Sequence, residues 1–334
     1  MSNRSLQSQL EDFSDPRSQC FLCARNLTSL EATDEHVIPQ WAQRRYDLWN
    51  QRLVLANGTD IPYRQLTVPC CGECNKYRLK PIEDSLSQTV ESGRDAVLAL
   101  GPKVLFIWLG KLFYGVLYKE LMLLSDRTDQ NKPTIISEEF IRGYRMHRFF
   151  LQQARDLVEL RNFNPGSLFV FDAQPLTQPR MEWDFTDNIE TLFLGVRVGK
   201  VALLASMADG GAQQYVEDIY RDFYSLALHP IQIRELCARI SYRSTLATRT
   251  PKYISIASAT PQETYQMPLG GFSSKPLFEE WQQGEYAQFL SHYTGLPLED
   301  IYKPPDTVIS WLRDDDWRPR KMPFTEFPIL PGGA

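Results

Sequence analysis

The clearest chemistry in this sequence is carried by four cysteines in two short pairs. Cys20-Phe-Leu-Cys23 and Cys71-Gly-Glu-Cys74 each put two thiolates on a tight turn. Two such turns brought together supply a closed tetrahedral site of four sulfurs for zinc, with Zn–S near about 2.3 Å. Cys70 neighbours Cys71 and could substitute for it, although the C-x-x-C spacing favours Cys71; Cys237 stands alone and reads as a core thiol. A redox pair would open a helix after a strand in a βαβ pattern, and neither pair does so. The opening residues MSNRSLQSQLEDFSD lack the cationic flank and apolar centre of an export signal. A cytoplasmic, reducing setting is therefore expected, in which paired cysteines bind metal before they form disulfides.

Between the pairs lies Asp34-Glu35-His36-Val37-Ile38-Pro39, and Asn75 follows Cys74 directly. Taken singly, a His beside a Glu is commonly a solvated pair, and an Asn after a knuckle a turn residue. Taken together at these offsets, the segment resembles the HNH endonuclease family, above all the subgroup reading E-H-x-x-P-x-W. Here that motif is Glu35-His36-Val37-Ile38-Pro39 with Trp41, and the second knuckle continues through Asn75, Lys76 and Arg78 into Ile82-Glu83. The resemblance covers residues 20 to 83.

The resemblance implies a small zinc-stapled ββα-metal, treble-clef-like domain that hydrolyses phosphodiester bonds, in DNA before RNA, with a role in bacterial defence. It implies that His36 is the general base, a task suited to a neutral imidazole. It also implies that Glu35 and Asn75 hold one catalytic Mg2+ or Mn2+, as oxygen donors can, while zinc on Cys20, Cys23, Cys71 and Cys74 is structural. Several positions depart from the family pattern. Glu35 stands where Asp is commoner, and Arg64, Gln65 and Leu66 occupy the stretch that carries the family's middle Asn. The 39 residues from His36 to Asn75 imply an insertion around Arg44 to Asp60, and Pro81 should shorten or kink the helix that begins at Asn75. The alternative is a zinc-stabilised nucleic-acid-binding or interaction module without catalysis.

Charge sharpens the nucleic-acid expectation locally. The whole chain carries a formal net charge of -5, which argues against a chain-wide basic surface. Between Trp41 and Lys80, however, Arg44, Arg45, Arg52, Arg64, Lys76, Arg78 and Lys80 outnumber Asp47, Asp60 and Glu73. Lys76 and Arg78 are the first candidates for phosphate contacts, because they share a segment with Asn75. A merely solvated loop is the bland reading of the same residues.

These groups need elements to position them. At 334 residues and 43% hydrophobic, the chain can bury a substantial core, which excludes disordered and low-complexity classes. The fold class expected is α+β: residues 1–90 as the zinc domain, then 91–334 as a larger, helix-rich mixed domain for recognition, sensing or homo-oligomer formation. Spacing predicts helices over Ser87 to Leu100 and Val104 to Leu124, broken at Gly101-Pro102. The second is apolar enough to raise the question of a membrane span, but Lys111 sits at its middle, so a buried helix is expected. A third helix should run from Ser137, as N-cap, to Leu160. Strands are expected at Leu168 to Asp172, Thr191 to Val198 and, across a Gly199-Lys200 turn, Val201 to Ser206. Helices are expected at Ala212 to Ala227, Ile231 to Ile240 and Leu277 to His292, with a strand at Tyr253 to Ser258 and a surface tail from Lys303. His147 among Arg142, Arg145 and Arg148 suggests either a phosphate-binding face or a solvated one. His229 before Pro230 reads as a turn, and Asp314-Asp315-Asp316 as a solvated loop.

Overall fold

The computed structural model describes residues 6, 10–11, 13, 15–29, 31–126, 128–216, 218–257, 260–270 and 274–323. It is a mixed α+β structure. The first knuckle, around residues 20–25, turns back on itself through Ala24 N donating to Cys20 O and Cys20 N to Arg25 O, with Ala24 in the left-handed region at φ 58. Strand β1 (Ala32–His36) pairs antiparallel with β4 (Thr67–Cys71), in a register that sets Ala32 opposite Cys71 and His36 opposite Thr67. The segment between them holds helix α1 (Gln40–Arg45) and the small hairpin of β2 (Arg52–Val54) and β3 (Asp60–Pro62). After β4 the chain enters a π-helical stretch, Glu73–Leu79, and then α2 (Lys80–Thr89). Pro81 falls in the first turn of α2, where a missing N–H costs least.

Four expected helices are shorter than their spacing suggests or are divided. The stretch from Ser87 to Leu100 is split at Gly93, whose φ of 90 separates the turn Val90–Ser92 from α3 (Arg94–Leu98). A Cβ on Gly93 would lie 3.0 Å from Asp172 Oδ1, the oxygen that accepts from Arg94 N. From Ser137 onward, the hydroxyl does cap Phe140 N at 3.1 Å. The helix then divides into α5 (Glu138–Arg142) and α6 (Arg145–Leu151) and gives way to β5 (Val158–Arg161) after left-handed Asp156. Ala212 to Ala227 forms only short turns before β10 (Ala227–Leu228), as Tyr220 and Phe223 turn into the core. The last expected helix starts later, as α8 (Gln283–Thr294), because Trp281 is pinned edge-on against Tyr242.

Helix α4 (Pro102–Met122) is buried on nearly every side, Lys111 included. Among the described residues, no helix is long and apolar enough to cross a membrane. A five-stranded sheet, ordered β10-β6-β9-β8-β7, contains β6 (Ser167–Ala173), β7 (Trp183–Asn188), β8 (Phe193–Val198) and β9 (Val201–Ser206). It is antiparallel except where β10 joins β6. Strand alternation makes this sheet a wall between two cores. Val170, Leu203 and Val196 face α4 and the zinc region, and Phe171, Leu204 and Phe193 face α7 (Pro230–Thr245) and α8. The first of these cores runs without a gap from Phe13 to Met207, across residue 90. Strands β11 (Tyr253–Ile256) and β12 (Gln262–Gln266) complete a second sheet with β5.

Two further expectations change. The tail does not simply run over the surface: buried Glu235 accepts from Trp311 N, Leu312 N and Ser310 Oγ, and Leu312 is buried. Its end, 324–334, lies outside the described residues. His229 is the N-cap of α7, accepting from Ile231 N while Gln232 reaches back to His229 N. Cys237 is a buried core thiol whose pKa burial pushes well up.

Candidate metal centre and the face beside it

The Sγ atoms of Cys20, Cys23, Cys71 and Cys74 all lie within 4.8 Å of one another. Among the described residues this is the group of cysteine, histidine and acidic side chains suited to a metal ion, and four soft sulfurs suit zinc. Cys74 N donates toward Cys71 Sγ, which seats the second knuckle. Cys70 Sγ is 3.8 Å from Cys20 Sγ but falls outside the four. The crowded thiols polarise one another. Hydrogen bonds from Cys23, Cys70 and Cys71 lower the Cys20 thiol to about 3 and contact with Cys20 lowers Cys74, while the bond to Cys20 pushes Cys71 up, so among these thiols the proton sits on some sulfurs and the negative charge on others.

The first knuckle is gripped from behind by α6 and the turn that follows it. Arg148, completely buried, donates to the carbonyls of Phe21 (3.0 Å), Leu10 (2.6 Å) and Cys20 (3.3 Å), and Gln152 donates to Leu22 O at 2.8 Å. The ring of Phe13 lies 4.9 Å from the Arg148 guanidinium. The basic helix face seen in sequence is thus no phosphate site. Arg148 points inward, and His147 is buried against Phe113, its pKa lowered to about 4 by burial. Arg142 and Arg145 pair with Glu138 and Glu11.

The expected catalytic residues are distributed, not gathered. Alternation along β1 sends Glu35 and His36 to opposite faces. Glu35 turns inward, its side chain 7% exposed, and its Oε1 lies 2.6 Å from Lys111 Nζ. The same ammonium donates to Glu83 Oε1 (2.6 Å), His36 O (2.5 Å) and Val37 O (2.9 Å). Burial alone would lower the Lys111 pKa, but the two carboxylates outweigh it and hold it above its ordinary value. Burial pushes Glu83 upward. Asn75 Nδ2 donates to Thr33 Oγ1 at 3.0 Å, and that hydroxyl donates to Cys70 O at 2.8 Å, so Asn75 clamps the β1–β4 hairpin. A divalent cation such as Mg2+ needs several oxygens with room for water. Glu35, shared with an ammonium and buried, and Asn75, committed to Thr33, do not fit that requirement.

His36 occupies the other face of β1, half-buried. Its Nδ1 lies 3.2 Å from Gln40 Nε2, and Gln40 Oε1 accepts from Arg44 Nη2 at 3.1 Å. The arginine fixes the amide, the amide donates to Nδ1, and the neutral ring therefore carries its proton on Nε2. Burial, helped by the Lys111 charge, lowers the imidazole pKa and keeps the ring neutral. The ring stacks with Trp49, centroids 6.2 Å apart, and Trp49 is 40% exposed. Arg64 extends the face by donating to Trp49 O and to Asn50 Oδ1.

The other basic residues differ in availability. Arg78 is held by Glu73 and Asp156, Lys80 by Asp84, Arg52 by Asp60, and Arg45 by Glu91 beside Trp41. Arg44, Arg64 and Lys76 have no carboxylate partner among the described residues, and Lys76 sits beside 70% exposed Tyr77. Of the two expected phosphate contacts, Lys76 is open to solvent and Arg78 is engaged. Sequence reasoning missed Trp49, Gln40 and the two buried clamps, Lys111 and Arg148. The signal for Lys111 was present as a lone charge in an apolar run, a pattern that calls for buried partners.

No protein-family model matches this chain, and no curated protein or solved structure does either.

Proposed function

We propose that this chain is a zinc-stapled nucleic-acid-binding protein that engages an unpaired strand through Arg44, His36, Trp49 and Arg64. The observation that carries this reading is the unbroken succession from Arg44 through Gln40 to His36 and its stacked, exposed Trp49. Exposed aromatic planes accept splayed bases, and flanking guanidinium groups neutralise phosphates. The Nε2–H of His36 adds a directed donor for a phosphate oxygen. Zinc at the four cysteines sets the hairpin that presents this face.

Fluorescence anisotropy with labelled single-stranded DNA and RNA tests the reading. Trp49→Ala should weaken binding about tenfold or more, as loss of one stacked base does, and Arg44→Ala with Arg64→Ala should reduce its salt dependence. Binding unchanged in all three variants would remove it.

A second reading, a metal-dependent HNH endonuclease acting on DNA, is favoured by one feature: a neutral, half-buried imidazole at the end of β1, where the family resemblance assigns its base. A neutral ring with its proton on Nε2 keeps its basic lone pair on Nδ1, which could take a proton from an attacking water once Gln40 Nε2 lets go of it. Supercoiled plasmid incubated with Mg2+ or Mn2+, beside His36→Ala, separates the two readings. Cleavage lost in the variant supports the nuclease, and intact plasmid with retained binding supports the module.

A further inference from the structure

The carboxylate at which the resemblance would seat a divalent cation already faces a cation of the chain's own. We infer that Lys111 holds that place: its ammonium fills the oxygen cage of Glu35, Glu83 and the His36 and Val37 carbonyls, and the folded protein binds no divalent ion there. All four neighbours are oxygens within 2.9 Å of Nζ, the hard donors that Mg2+ or Mn2+ would also choose. Two carboxylates and one ammonium leave a single negative charge, and the compact ammonium spreads its three N–H groups over the cage. Occupancy is exclusive, because a divalent ion sharing these oxygens would sit against a like charge. The ammonium cannot diffuse away, since it is tethered to the buried centre of α4. The Lys111 side chain is 2% exposed, which leaves no room for the waters that magnesium keeps.

The cage also explains why a lysine is tolerated in a helix buried all round. It ties α4 to the end of β1 and to α2. This inference does not depend on strand binding at the Trp49 face, and its experiment contains no nucleic acid.

Zinc-loaded protein is titrated with Mn2+ and followed by electron paramagnetic resonance. Wild type should show no saturable site up to about 1 mM. Lys111→Met leaves two carboxylates facing each other and should gain one site, tighter by about tenfold or more, that disappears when Glu83→Gln is added. Saturable binding by wild type that Glu35→Gln weakens about tenfold overturns the inference, as does a folded Lys111→Met that gains nothing. Should Lys111→Met not fold, the wild-type protein decides alone. Its Lys111 15Nζ resonance should stay unchanged at saturating magnesium, and a shift would mean that the ammonium has been displaced.

Discussion

Arg148 donates through Nε to the carbonyl oxygen of Phe21, 127 residues earlier in the chain, at 3.0 Å. The bond reaches the middle of the first knuckle from helix α6, so the turn that carries Cys20 and Cys23 is shaped by residues distant in the chain from the cysteine cluster. Replacing Arg148 by Ala removes the guanidinium donors from the carbonyls of Phe21 and Leu10 and leaves Cys20 O with Ala24 N alone. The expected loss of stability is about 3 kcal/mol or more, with faster zinc release to a chelator. Thermal unfolding and a colorimetric zinc assay measure both, and a variant as stable as wild type would refute the clamp.

Zinc content should distinguish the neighbouring thiols. Cys23→Ser and Cys74→Ser are expected to lose the metal and the folded hairpin, whereas Cys70→Ser should retain about one zinc per chain. Elemental analysis of purified variants gives the answer directly. Loss of zinc from Cys70→Ser would mean that the ligand set includes it.

Glu120 predicts a pH dependence of known sign. Burial raises its carboxyl from 4.5 to about 7, although Ala56 N donates to it. A raised folded-state pKa contributes stability that is fully present below the unfolded value and is lost as pH rises through the folded one. Between pH 4.5 and about 7 this group therefore pulls stability down as pH increases. Glu120→Gln, which keeps an acceptor for Ala56, should be more stable than wild type at pH 8 by up to about 3 kcal/mol. Urea unfolding across the range would show no gain if the carboxyl titrates normally.

Gly115 lets α4 approach the residue that follows His36. A Cβ there would come within 2.9 Å of both γ-methyls of Val37. Gly115→Ala should cost about 1–3 kcal/mol despite the better helix propensity of alanine, and Val37→Ala should recover part of that loss when combined with it. Strictly additive effects in the double variant would exclude the contact.

What the sequence disclosed and what it hid divide by range. The cysteine pairs were legible because metal-ligand spacing is written locally, and the Gly199-Lys200 turn because hairpin chemistry needs only adjacent residues. Buried α4 was legible because Lys111 contradicts a membrane. Helix interruptions were not, because Gly93 is set by Asp172, a partner 79 residues on. The candidate site suffered most. Glu35 and His36 are neighbours in sequence, but their surroundings depend on Lys111, 76 and 75 residues downstream, and on Trp49 in the segment between β1 and β4. Adjacent residues on a strand face opposite ways, and no motif spacing reports which way is covered.

The Arg148 clamp has a consequence for biosynthesis. The four thiols are translated by residue 74, but the groups that hold the first knuckle from behind arrive only with Arg148 and Gln152. At about 5–20 residues per second, roughly 4 to 16 seconds separate the last cysteine from the second clamp. During that interval the nascent chain presents reactive sulfur without its final scaffold, so a metal held there would be secured only once nearly half the chain has been made.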